Sequence, residues 1–267
     1  MRISRAHDLV LLLILISFNG CRQKSDPIHK GGLAISFDDH FIDEWYQLRP
    51  LFRKYDAKVT FFITCGDSLT NDEISKLKDL RSDGHEIGFH GTLHGVSTMM
   101  IENLGPQKYK EAELSPGMKF MKKAGFNPTS YAHPGGNRNK QVDSVLFANG
   151  FKILRDVAIA NRKYQGVPLY SVAPRVMDWI YYPFRKEKNV DALLIDTDAG
   201  LTEEQMQDAV KRASDTGTAL MLFGHKPLKG GPKAGEYGFD IGFLENILKA
   251  AKTHKLNYYT MSELPEL

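Results

Sequence analysis

Residues 32 to 64 read GLAISFDDHFIDEWYQLRPLFRKYDAKVTFFIT. Leu33 to Phe37 is a short β-rich run closed by two acids, Asp38 and Asp39. Asp43 to Tyr55 then places apolar side chains at helical spacing, and Val59 to Thr64 is β-rich again. Working outward, the same alternation predicts strands at Glu86 to Phe89, Ser130 to His133, Lys152 to Val157, Ala192 to Asp196, Ala219 to Phe223 and Asn257 to Met261. Helices are predicted at Asn71 to Ser82, Pro106 to Ala124, Lys140 to Ala148, Glu203 to Ser214 and Ile241 to His254, with a kink or split at Pro116, which lacks a backbone donor. Strand, helix, strand repeated seven or eight times, with no linker or internal repeat, predicts one α/β domain over residues 32 to 267. Its expected form is a distorted (β/α) barrel of parallel strands rather than an open doubly wound sheet. Residues 161 to 189, with Trp179, Tyr181, Tyr182 and Phe184, break the rhythm and read as an excursion walling a binding cleft.

The composition agrees with an ordinary globular chain. Of 267 residues, 42% are hydrophobic and 25% charged, which excludes a disordered, collagen-like or multi-span membrane protein. Lys and Arg total 35 against 32 acids, the basic residues are scattered, and no nucleic-acid partner is expected. No protein partner can be inferred.

Residues 1 to 20 read as a secretory signal: Arg2 and Arg5 precede an apolar run from Leu9 to Phe18 that is about half of the roughly 20 residues a membrane span requires. Gly20-Cys21 resembles the lipobox of bacterial lipoproteins, in which the cysteine is lipidated and becomes the mature N-terminus. A plain signal peptide cleaved nearby is the alternative. Either reading exports the protein, and lipid on Cys21 would hold it to a bacterial membrane, facing the periplasm or the exterior. Residues 21 to 31 read as a polar tether. Cys65 closes an apolar strand and reads as a packed, inert thiol, with no disulfide expected.

In a parallel barrel the strand ends share one rim, so residues that follow different strands meet in space. After the first strand stand Asp38 and Asp39; after the third, His90 and His94; after the fourth, His133-Pro134-Gly135-Gly136; after the seventh, His225. Two histidines four residues apart with one carboxylate make a three-ligand metal site with a position open for water, and Asp39 is the best third ligand. The adjacent Asp38 is then free to act as a base. An ion so held lowers the pKa of water it binds toward 7 and polarises a carbonyl, which is acyl-hydrolysis chemistry. Each element alone has a plainer explanation, a turn cap for the acids and packed imidazoles for the histidines. Their conjunction at three strand ends favours the metal site.

Ser36-Phe37-Asp38-Asp39, then Gly84-His85-Glu86-Ile87-Gly88-Phe89-His90-Gly91-Thr92-Leu93-His94, then Ala132-His133-Pro134-Gly135-Gly136, then Leu220-Met221-Leu222-Phe223-Gly224-His225 resemble the polysaccharide deacetylases of carbohydrate esterase family four, the NodB-homology domain. The resemblance implies a distorted barrel of about seven strands and hydrolysis of acetyl groups, N- or O-linked, on a carbohydrate. It implies Asp38 as catalytic base, His225 as general acid, Asp39, His90 and His94 as ligands of zinc or another divalent metal, and the Gly135 backbone N–H at the oxyanion.

Four departures stand out. His40 replaces a usual Gly and brings a bulky, titratable ring to the site. Ala132 replaces an Arg that orients the base, so a cation must come from elsewhere, with Arg138 and Arg155 the candidates. Gly135 replaces an aromatic residue. The motif that supplies a carboxylate to orient His225 and a Trp to wall the pocket is indistinct: Asp156 stands nearest the expected position, and Asp178-Trp179 has the right residue types. Three other readings compete: a carbohydrate-binding lipoprotein that has lost catalysis, a deacylase of a small non-sugar amide, and an Fe(II) site of the oxygenase type.

Overall fold

The computed structural model describes residues 31–267 apart from 66–68, 159–162, 165–166 and 169–171. The expected signal peptide, Cys21 and nearly all of the tether lie outside the described residues. Seven strands close an all-parallel barrel: β1 (Gly32–Asp39), β2 (Val59–Ile63), β3 (Glu86–Phe89), β4 (Ser130–Ala132), β5 (Ile153–Val157), β6 (Asn189–Leu194) and β7 (Ala219–Gly224). β7 pairs back onto β1, from Gly32 against Ala219 to Phe37 against Gly224. The eighth predicted strand exists as Asn257–Tyr258 and lies outside the closed ring, paired with the first residues of β1.

Period-two alternation sorts the side chains. Ala34, Phe62, Ala132, Ile153, Ala192, Ala219, Met221 and Phe223 fill the barrel interior, while Leu33, Ile35, Phe37, Phe61 and Leu222 belong to the larger core that extends out to the helices. Small inward residues leave room for large neighbours. A Cβ at Gly88 would lie 2.5 Å from the Phe62 ring.

The helices α1 (Ile42–Gln47), α2 (Arg49–Lys54), α3 (Asn71–Ser82), α4 (Ser97–Tyr109), α5 (Ser115–Lys123), α6 (Lys140–Ala148), α7 (Glu203–Thr216) and α8 (Ile241–Thr253) alternate with the strands. The helix predicted over Asp43 to Tyr55 is two, because Pro50 opens the second. The predicted break near Pro116 takes the form of a π-helical turn, Lys110–Leu114, followed by α5 with the proline in its first turn. The first part of α4 escaped prediction: it has no side-chain cap at Val96, and it is interrupted at Gly105 (φ 78°) before Pro106.

The excursion before β6 corrects an expectation. β6 pairs with β7 only at Leu193 and Leu194, and Tyr181–Tyr182 runs antiparallel against Ala219–Leu220 at the lower end of β7. Tyr182 and Phe184 enter the inner core with Met261 and Leu264. These aromatics close the base of the barrel, where the β6–β7 seam is open, and do not wall a cleft at the rim. That split seam is the distortion of the barrel.

Candidate active site

Asp38 shares the inward parity of Ala34 and Ser36 and is buried, 2% exposed. Asp39 would point outward on a regular strand, but its φ of 86° ends the alternation. Its carboxylate Oδ1 then lies 3.6 Å from His90 Nε2 and 3.4 Å from His94 Nε2. His90 follows the inward parity of β3, and His94 sits beyond a turn with its own φ at 55°. Ligand atoms from Asp39, His90 and His94 lie within 4.8 Å of one another, a span one ion can bridge.

The surroundings fit a metal. His90 Nδ1 is 2.9 Å from the Ala132 carbonyl, to which it donates, and this fixes the tautomer with the Nε2 lone pair facing the cluster. Burial lowers the His90 pKa to about 4, so the ring is neutral, as a ligand must be. The phenol of Tyr237 donates to Asp39 Oδ2 at 3.0 Å and holds the carboxylate from behind.

Asp38 Oδ2 accepts a hydrogen bond from Arg155, which is itself 1% exposed. Burial alone would raise the Asp38 pKa; Arg155, with His90 and His225, outweighs it and holds the carboxyl below the usual range. Arg155 stands in register with Ala132 on the neighbouring strand, so the cation expected at 132 is delivered one strand over at the same height. Its guanidinium lies 4.4 Å from the centre of the Phe223 ring. Of the two candidates, Arg138 is engaged elsewhere, with Asp143 at 3.0 Å. Asp38 Oδ1 is buried and accepts no hydrogen bond from the protein.

His225 continues the inward parity of β7. Its Nδ1 bonds Asp196 Oδ2 at 2.6 Å, and its backbone N–H donates to Asp196 Oδ1 at 3.0 Å. Burial pulls the His225 pKa down, but the bond to Asp196 and the charges of Asp38, Asp196 and Asp39 outweigh it and raise it. The carboxylate on His225 is therefore Asp196 and not Asp156. The reason is parity: Arg155 points into the barrel, so its neighbour Asp156 points away, toward its own Val157 N–H (2.8 Å) and Arg138 (3.9 Å). Asp196 falls on the inward parity of Ala192 and Leu194. It closed a predicted strand, and that parity was the signal that could have found it.

The remaining sequence candidates divide. Gly135 lies in the turn Pro134–Gly136 with φ 58°, a conformation that explains why no aromatic side chain stands there. The two nitrogens of His40 are occupied by the Thr64 carbonyl (2.9 Å) and Glu73 (2.8 Å), so the ring is tied to the N-terminus of α3 and does not ligate in the cluster. Trp179 packs half-buried against the outer core and lines a cavity of about 330 Å³ with Arg138, Tyr181, Tyr182 and Met221, which shares no residue with the Asp39, His90 and His94 cluster. Asp178 pairs with Arg212 on α7. Cys65 is buried and free, and burial raises its thiol to about 11, well out of the reactive range.

The polysaccharide deacetylase profile matches residues 26–154. Three solved structures share the fold. The Xyl-CE4 domain of a multidomain xylanase from the hindgut metagenome of Trinervitermes trinervoides matches with a TM-score of 0.51 and 15% identity, over 89% of this chain and 91% of that one. The peptidoglycan deacetylase PdaC from Bacillus subtilis gives 0.54 and 17%, over 90% and 92%. A pseudoenzyme of the same esterase family from Bacillus anthracis gives 0.54 and 12%, over 88% and 66%. A sequence search among curated proteins finds no match. The chain thus shares with the polysaccharide deacetylases the profile over its first strands and the fold over nearly the whole barrel, with both acids and both histidines on one rim.

Proposed function

We propose that this chain is a metal-dependent deacetylase that hydrolyses N- or O-acetyl groups on a carbohydrate. The observation that carries this reading is the state of Asp38: one oxygen is held by Arg155, the other is buried without a protein partner, and Oδ2 lies 3.8 Å from His90 Nε2, at the edge of the ligand cluster. Asp39, His90 and His94 would hold a divalent ion such as zinc, which when bound would supply the Lewis acidity to acidify water and polarise the acetyl carbonyl. Asp38 Oδ1 accepts the proton of the attacking water, and Arg155 keeps that carboxylate ionised beforehand. His225, whose protonated form Asp196 favours, gives a proton to the departing amine or alcohol, and acetate is the second product. The Gly135 N–H offers a backbone donor for the oxyanion.

The competing reading as a non-catalytic binder rested on the missing cation at Ala132, and Arg155 removes that ground. The test is acetate release from acetylated chitooligosaccharides, peptidoglycan fragments and acetylated xylan, zinc-loaded against chelator-stripped. Asp38→Asn is expected to lower turnover by about 10²–10⁴-fold with zinc still bound. Undiminished release by that variant would rule Asp38 out as the base.

The reading extends to place: an exported protein, anchored by lipid on Cys21. Among the described residues no helix is long and apolar enough to cross a membrane. Cys21→Ser is then expected to move the protein from the membrane fraction to the soluble one. A variant that stays with the membrane would count against the lipid.

A further inference from the structure

Glu113 is a buried acid that the chemistry above does not use. It is 0% exposed and belongs to the π-helical turn Lys110–Leu114, on the far side of the loop that carries His94. Its Oε2 accepts the N–H of Leu93 at 3.2 Å, and its Oε1 accepts the N–H of Gly95 at 3.2 Å. Its own carbonyl accepts the N–H of Thr92 at 2.9 Å. One residue thus gathers backbone donors on both sides of His94, whose left-handed backbone (φ 55°) is costly for a residue with a side chain.

The approach is close enough to dictate sequence nearby. At Gly91, φ is 85° and a Cβ would lie 2.1 Å from Glu113 Oε1, so only glycine fits beneath the carboxylate. The π turn is what delivers it. Ser115 N–H bonds back to the Lys110 carbonyl, five residues earlier, and Pro116 follows with no donor of its own. Burial raises the Glu113 pKa, while the N–H groups of the loop pull it back.

We propose that Glu113 is the positioning residue of the metal centre: by accepting both flanking N–H groups it holds His94 in its strained turn, so that Nε2 faces Asp39. The proposal rests on the metal-centre reading above. Two N–H donors require two acceptor oxygens, and an amide at this position offers one acceptor and one opposed donor. Outer-shell partners of this kind govern metal affinity through the ligand they orient.

The experiment is zinc affinity of the full chain by competition titration, for wild type, Glu113→Gln, His94→Ala and the double variant, with circular dichroism to confirm folding. Glu113→Gln is expected to weaken zinc about 10–100-fold. In the His94→Ala background the same change is expected to add nothing, because its effect runs through His94. The absorption spectrum of the cobalt(II)-substituted variant is expected to move toward that of His94→Ala. In wild type, hydrogen exchange of the Leu93 and Gly95 amides is expected to slow when zinc is added, a reading that does not depend on any variant folding. A folded Glu113→Gln protein that binds zinc like wild type, an equal loss in the His94→Ala background, or zinc-indifferent exchange at both amides would each overturn the proposal. If wild type itself holds no zinc, the metal-centre reading falls first and this inference with it; if wild type and His94→Ala differ as expected, only the inference is at stake.

Discussion

The two sides of the rim are built differently. On the side of β1 and β3, the groups that would touch a metal come from contiguous motifs, Asp38-Asp39 and His90 to His94, at the positions the sequence predicts. On the side of β4 to β7, the charged partners of Asp38 and His225 are displaced: Arg155 stands one strand away from Ala132, and Asp196, not Asp156, bonds His225. Ligands must converge on one point within tenths of an ångström, so their backbone cannot move. An orienting charge needs only to reach its partner from any inward position at the right height, and a closed barrel offers several.

That contrast can be broken most severely at Arg155. Arg155→Ala leaves Asp38 charged, buried and unpaired, at a cost of about 3–5 kcal/mol in stability, read by chemical denaturation. If height alone matters, the double variant Ala132→Arg/Arg155→Ala is expected to regain much of that loss and of the activity. A double variant no better than Arg155→Ala would mean that the strand, not the height, is what counts.

A smaller effect separates the two acids. His225 must be protonated to act as an acid, so activity is present below its pKa and lost as pH rises through it. Asp196 raises that pKa, and Asp196→Asn is therefore expected to shift the alkaline limb of the kcat/KM profile toward acid and to lower its plateau about 10-fold or more. Asp156→Asn is expected to leave the limb in place. Equal shifts in both variants would remove the distinction between the inward and the outward acid.

The same contrast explains what was legible in the sequence. All eight predicted strands appear, because apolar runs of four to six residues between Gly, Pro and polar segments are a local signal. Asp39, His90 and His94 were legible because their spacing is local too. Arg155 could be named only as one of two candidates, since choosing it requires the β4–β5 register, which no local pattern records. Asp196 is marked only by its inward parity at the end of β6, a weaker local signal than the nearness of Asp156 to an expected motif. Nothing in the composition of Trp179 and the aromatics after it reveals that the β6–β7 seam is open and is filled by Tyr182 and Phe184. Glu113 was invisible for a further reason: an acid within a helical run reads as solvent-exposed by residue type, and no local pattern records the π turn that buries it.

The chain enters the barrel at Gly32, beside Asn257, at the end of β1 opposite to Asp38 and Asp39. A lipid on Cys21 would therefore leash the domain by its floor, with nine residues, 22 to 30, spanning at most roughly 30 Å, and the strands adding about 25 Å of height above them. The catalytic mouth would then stand off from the bilayer and open away from it. Such an enzyme would graze on polymer drawn past its outer face and would be blind to the headgroups of the membrane that holds it.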